Sequence, residues 1–355
     1  MKIKTEPVGS IPRPVELIQG MQAHAAGSIT KQELDALFES AITDTIKRFE
    51  ATGSPVITDG EQTKPSFATY PISGMQQLDP NGVVIPFADG HTRQLPKITA
   101  GPFKYQVYSN SFLQNARKHT SLPVKQAVIA VSAISLLYPQ EGIVGYGHEQ
   151  FINDLLNEAE KDIRQNLNSG AYNVQIDFTE ARLALKLDPS GGVLRSFIDL
   201  NNKVLSRFTD EERKKIGVHS CPGGDHDSTH SADIPYADLL PLLFELKAGN
   251  FYLEYAGEKD KRTVLNSIKK NIQPGQTVFL GVTDVLNPRI ETPEEIKEII
   301  LEAASVLPVE KIGTTDDCGF SPFADDTSTS RDIAFAKIKA RVDGTKLAEA
   351  AINKQ

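Results

Sequence analysis

Apolar and polar positions along the 355-residue chain alternate between two patterns. A short apolar run ends in a polar or Gly-rich break. A stretch with apolar residues every three or four positions then follows. The first pattern reads as a buried strand and the second as an amphipathic helix. The clearest helix starts at Thr30, which forms a capping box with Glu33, and carries Leu34, Leu37, Ile42, Ile46 and Phe49 as its stripe. Thr209 with Glu212 and Thr292 with Glu295 repeat the capping box, and Pro293 stands at a first helical position. Further helices are predicted over 147–168, 192–208, 237–246 and 261–272, and from about 330 onward. Strands are predicted near Gly9, Asp59, Val131, Asp177, His219, Glu254, Asp284 and Cys318, each followed by a helical pattern.

Residues 63–122 break this rhythm. The runs 83–87 and 95–99 flank Asp89-Gly90, a turn signal, and predict a β-hairpin. Eight β-then-α units predict an α/β fold, a (β/α)₈ TIM barrel spanning 1–355 as one domain, with a hairpin insertion between strands 2 and 3. The rival is a doubly wound open sheet. No G-x-G-x-x-G follows the first strand, so a dinucleotide fold gains no support.

Charge and composition narrow the function classes. The chain has 38 basic and 46 acidic residues, a net charge of −8, and no Lys/Arg-rich run, which argues against nucleic acid as a partner. No apolar run is long enough for a membrane span, and the start, Met1-Lys2-Ile3-Lys4, leads into no apolar signal segment. The expectation is a cytoplasmic protein. Two cysteines are too few for a disulfide framework and read better as metal-binding or catalytic.

Those two cysteines carry the chemistry. His219 and Cys221 are two apart where a strand stops, so their side chains share a face. Cys318 sits at a similar strand-to-loop junction. An imidazole with two thiolates suits zinc, and three protein ligands leave a place for substrate. Glu254, at another strand end, is the candidate fourth ligand that yields to substrate. A zinc with two thiolates is a modest Lewis acid, suited to holding a substrate thiol as its thiolate. That thiolate can attack a methyl group on nitrogen, sulfur or cobalt. Glu61 and Asp177, also at strand ends, are candidates to hold the ammonium of an amino-acid substrate. Glu180 either pairs with Arg182 or joins the pocket. Each residue alone has a plain structural reading as packing, capping or a hydrogen-bonded histidine; the set together favours a site. The loop 223–230 is polar enough to suggest a second metal, but turn chemistry accounts for it.

These residues resemble the C-terminal catalytic barrel of the cobalamin-independent methionine synthase family, over nearly the whole chain. Val8-Gly9-Ser10-Ile11-Pro12-Arg13, Asp59-Gly60-Glu61, Gln175-Ile176-Asp177, His219-Ser220-Cys221, Glu254 and Asp317-Cys318-Gly319 follow the order of that family's motifs. The resemblance implies zinc ligands at His219, Cys221, Glu254 and Cys318. It implies homocysteine contacts at Ser10, Glu61 and Asp177, with Glu61 and Asp177 in the catalytic machinery. The implied activity is methyl transfer to a thiol, first of all homocysteine, from methyltetrahydrofolate or a corrinoid carrier. Three departures stand out. The N-terminal barrel of the long enzymes has no counterpart here. The Asp-Glu-Pro motif reads Asp177-Phe178-Thr179. The seventh-strand motif, 284–289, has no histidine. Short relatives include enzymes that alkylate coenzyme M with an epoxide. A ligand-binding barrel without turnover is the remaining alternative.

Overall fold

The structure, a computed structural model, describes residues 2–354. Seven parallel strands form its central sheet: β1 (Lys4–Thr5), β2 (Gln126–Ile129), β3 (Val174–Asp177), β4 (Ile216–Ser220), β5 (Asn250–Leu253), β6 (Thr277–Gly281) and β7 (Ile312–Thr315). Their order is β1-β7-β6-β5-β4-β3-β2, so each of β2 to β6 lies beside its successor and β1 lies beside β7. The residues of β2 to β5 are buried throughout, the pattern of a parallel sheet covered by helices.

The opening between β1 and β2 is filled by the segment 56–60. Ile57 bridges Val124 in parallel. Its N–H donates to Pro123 O at 3.0 Å, and its carbonyl accepts from the Lys125 N–H at 2.8 Å. On the other side the Ile11 N–H donates to Gly60 O at 3.0 Å. The (β/α)₈ ring thus has seven regular strands and one position reduced to a single bridge. The strand expected through Glu61 stops early because Gly60 (φ 68°) and Glu61 (φ 56°) turn the backbone left-handed.

Helices at all three capping boxes form with the reciprocal hydrogen bonds in place. Two elements differ from expectation. The apolar run 128–133 is split: β2 ends at Ile129, and Val131–Ser135 opens a short helix. The helices Val15–Ala25 and Glu180–Leu187 were not expected, and neither has a side-chain cap to announce it.

The insertion contains a hairpin with a shifted return arm. Val84–Pro86 pairs antiparallel with Thr92–Gln94, whereas Lys97–Ile98 pairs with Leu78–Asp79. Pro96 has no N–H to donate, which ends the first ladder. Buried Asp162, in the helix His148–Asn168, anchors the insertion: Tyr70 Oη donates to it at 2.5 Å, and the Ser109 N–H and Oγ each donate at 2.8 Å. The hairpin tip lies against the loop that follows β4. Ala88 N–H donates to Thr229 O at 2.9 Å, and Phe87 stacks on His91 with ring centroids 4.3 Å apart. Arg93 Nη2 reaches Asp225 Oδ1 at 3.0 Å and Asp325 Oδ1 at 2.9 Å, so one guanidinium joins the loops beyond β4 and β7. The loop after β4 is itself a tight hairpin, Gly224–Asp225 against Ser228–Thr229, with His226 and Asp227 at positive φ.

Candidate metal and thiol site

β4 ends at Ser220, which places His219 in the last paired turn of the ladder and Cys221 just past it. β7 ends at Thr315 and brings Cys318 to the same mouth of the barrel. The ligand atoms of His219, Cys221 and Cys318 all lie within 4.8 Å of one another, and all three residues are buried. The sulfurs are 2.7 Å apart, longer than the ~2.05 Å of a disulfide, and both cysteines are free. His219 Nδ1 sits 3.1 Å from the Tyr252 carbonyl, which can only accept, so Nδ1 carries the proton. Nε2 is then a bare lone pair, buried and without a partner. An orphaned nitrogen beside two sulfurs is the donor set of a tetrahedral metal with one open position, and the residues fit zinc. Among the described residues this is the single His/Cys/Asp/Glu group gathered tightly enough to hold an ion. The loop 223–230 does not form a second one; Asp225 is engaged by Arg93 and His91.

The two thiols differ in acidity. Burial and the contact with Cys318 push Cys221 well up. The same contact, against burial, brings Cys318 well down. A divalent cation held by both sulfurs would displace the thiol protons.

Glu254 is not gathered into this group. Its Oε2 accepts from Arg182 Nη1 at 2.6 Å, and the same nitrogen reaches Glu258 Oε1 at 2.8 Å. Arg182 is almost fully buried, with its remaining N–H groups on Ile234 O and Ala232 O. The fourth-ligand assignment therefore meets an obstacle that spacing did not reveal: the carboxylate is already paired. Asp317 also shapes this mouth. It accepts from the backbone N–H groups of Tyr255, Ala256 and Gly257 and so fixes the loop that carries Glu254. Burial pushes it up to about 7 despite these bonds.

Ser10, Glu61, Asp177, His219 and Cys318 line one narrow cavity, together with Gln175 and Gly319. Gly319 allows the approach of the first loop: a Cβ there would stand 2.1 Å from Ser10 Oγ. Ser10 Oγ accepts from the Ser321 N–H at 3.2 Å. Glu61 keeps its left-handed backbone because Asp59 Oδ1 accepts its N–H at 3.0 Å. Its Oε1 receives Lys64 Nζ at 2.7 Å. Lys64 is wholly buried, and its role was not anticipated from the sequence. Burial pushes Asp177 up to about 6, with Glu61 adding and with His219, Lys64 and a bond from Gln175 opposing. Three carboxylates (Asp59, Glu61, Asp177) against two cations (Arg13, Lys64) leave the buried cluster one negative charge in excess when all are ionised. A substrate ammonium would balance it.

A second cavity of about 330 Å³ adjoins the first and shares Phe67 and Thr179 with it. Apolar side chains such as Ile129 and Leu183 form its walls, and Glu180, His230 and Arg93 supply its polar edge. Glu180 does not pair with Arg182; its Oε1 accepts from Ser132 Oγ at 2.5 Å.

Comparison with known proteins agrees with this geometry. The family model "Cobalamin-independent synthase, Catalytic domain" matches residues 211–343, which include His219, Cys221, Glu254 and Cys318. A methionine synthase of Saccharolobus solfataricus is 23% identical over 347 residues, 97% of this chain and 94% of that protein. One of Pyrococcus furiosus is 22% identical over 349 residues, 97% and 92% of the two chains. The crystal structure of a B12-independent methionine synthase from Shewanella sp. W3-18-1, in complex with selenomethionine, superposes with a TM-score of 0.77 at 18% identity over the whole of both chains. The catalytic-domain match over residues 211–343, relatives that align end to end and the order of strands make the chain similar to the cobalamin-independent methionine synthases in their single-barrel form.

Proposed function

We propose that the protein transfers a methyl group to the thiol of homocysteine, giving methionine. The observation that carries this reading is the meeting of His219, Cys221 and Cys318 beside the cavity of Ser10, Glu61 and Asp177. The names of its full-length relatives support the same activity. Zinc held by His219 Nε2 and the two cysteine sulfurs supplies, when bound, the Lewis acidity that keeps a substrate thiol ionised at neutral pH.

The chain's own residues do the rest. Asp177 and Glu61 hold the substrate ammonium in a charge-assisted pair, with the net negative charge of the cluster behind them. Lys64 orients Glu61 through its bond to Oε1. Ser10 and the backbone beside Gly319 receive the carboxylate end. Burial excludes water from the thiol, which leaves the sulfur less solvated and more nucleophilic. Glu254 would join a bound zinc as an exchangeable fourth ligand only if its pair with Arg182 opened. The methyl donor occupies the adjoining cavity, as methyltetrahydrofolate or as the methyl face of a corrinoid carrier.

An epoxide:coenzyme M reaction fits less well, because a sulfonate would face Glu61 and Asp177 without a free cation. A binding barrel without turnover leaves the second cavity unexplained. The test is direct. Zinc-loaded protein is incubated with homocysteine and either methyltetrahydrofolate or methylcobalamin, and methionine is quantified. Methionine from at least one donor is expected; none from either, in protein that retains zinc, would falsify the reading.

A further inference from the structure

Glu180 is a buried acid without a cation. It is 7% exposed, and no Lys, Arg or His forms an ion pair with it among the described residues. Its two oxygens are unlike. Oε1 accepts from Ser132 Oγ at 2.5 Å, and Ser132 Oγ accepts from Asn201 Nδ2 at 2.7 Å. The serine hydrogen is thus committed to Oε1. Oε2 is buried and has no partner. An unpaired carboxylate oxygen is costly in such a place; a protonated one is not, and it is a donor in search of an acceptor. The residue lines the second cavity, next to the thiol site.

We propose that Glu180 is the acid that gives a proton to the methyl donor's nitrogen as the methyl group leaves, which assigns the second cavity to an N-methyl amine. The inference rests on the homocysteine reading above and narrows its donor. An amine anion is a poor leaving group, so C–N cleavage needs a proton at nitrogen. The thiolate sulfur forms the new S–CH₃ bond, and the N–CH₃ bond breaks. Its electron pair stays on nitrogen, which takes the proton from Oε2. The thiol's proton has already left to solvent, and solvent returns one to Glu180. A methyl–cobalt bond breaks with its electrons left on cobalt and needs no such acid. A cavity of about 330 Å³ also has room for a bicyclic heterocycle, whereas a corrin ring must stay outside.

The charged surroundings agree. Burial pushes Glu180 up to about 7, the Ser132 hydrogen bond opposes, and Asp177 adds. His230, the other titratable ring on this wall, is pushed down to about 4 by burial and stays neutral. Arg93 is spent on Asp225 and Asp325.

E180Q keeps the size and the bond from Ser132 but cannot release a proton. Homocysteine binding by calorimetry and zinc content are expected to be unchanged. Turnover with methyltetrahydrofolate should fall about 10²- to 10⁴-fold, while methylation of homocysteine by methyl iodide stays within about threefold. The wild-type rate with the folate should decline above about pH 7 as the acid ionises. S132A, which removes a bond that favours the anion, should move that decline to higher pH. The difference infrared spectrum of wild type against E180Q should show the carbonyl band of a protonated carboxylic acid. Near-wild-type folate turnover in E180Q, equal losses with both donors, or no response of the pH limb to S132A would each overturn the role of Glu180 and leave the homocysteine reading in place. Wild-type turnover with methylcobalamin but not the folate would overturn it too. No methionine from any donor would remove both.

Discussion

Lys64 is the residue whose loss should be felt most sharply for its size. Its ammonium is fully buried, 2.7 Å from Glu61 Oε1 and 3.1 Å from the Ala127 carbonyl, and it lies over the Tyr70 ring at 4.7 Å. K64M replaces it with a side chain of similar length and no charge. Glu61, Asp59 and Asp177 then share one pocket with Arg13 as the single remaining cation. Breaking a buried pair by removing one partner costs about 3–5 kcal/mol. With an unfolding entropy of about 2.1 cal/mol/K per residue, or roughly 0.75 kcal/mol/K for this chain, a 4 kcal/mol loss lowers Tm by about 5 °C. The sign of the pH dependence follows from the carboxylates. Burial already holds Asp59 and Asp177 above their ordinary values, Asp177 at about 6. A carboxylate raised on folding costs nothing below its unfolded value, costs progressively more as pH rises toward the folded one, and costs its full amount above that. Losing Lys64, which holds both down, lifts Asp59 and Asp177 further, so the deficit of K64M should be small near pH 4 and largest above pH 7. Thermal denaturation at pH 4.5, 6 and 8 reads this out, with K64M/E61Q as the control that removes both partners and recovers about half the loss. A K64M deficit under 1 °C at pH 8, or one that grows toward acid, would refute the reasoning.

Other expectations are simpler to check. C318S should lose stoichiometric zinc by elemental analysis and with it most methionine formation, since two ligands hold the ion far less well than three; a variant that keeps both contradicts the shared site. D177N should retain zinc but weaken homocysteine binding by roughly 10- to 100-fold, the worth of one charge-assisted hydrogen bond, as measured by calorimetry. G319A places a methyl 2.1 Å from Ser10 Oγ and should raise KM for homocysteine more than it lowers kcat; an unchanged KM would mean that Ser10 is not at the substrate.

Much of this architecture could be read before any coordinates. The three capping boxes formed because their bonds are local, closed within four residues. Cys221 and Cys318, 97 positions apart, met because both stand just past strands of one parallel ring, where a barrel gathers its loop chemistry. What stayed hidden depends on distant partners. Glu254 looked free until Arg182, 72 residues away, took its oxygen. Nothing local to Lys64 says that Ala127 O and two aromatic rings will enclose it. The run 128–133 was ambiguous by composition, because a short apolar stretch suits a strand and a buried helical turn equally. The return arm of the hairpin falls earlier than its apolar residues suggest, at Thr92–Gln94, because Pro96 cannot donate to the ladder.

The fastening of the hairpin by Arg93 has a consequence of its own. One guanidinium spans the loops that continue from the two cysteine-bearing strands. Lifting the tip would take Arg93 away from buried Asp225 and release both loops together. Were the two cysteines to hold an ion, a raised tip and a loosened ion site would be coupled, each favouring the other in equal measure.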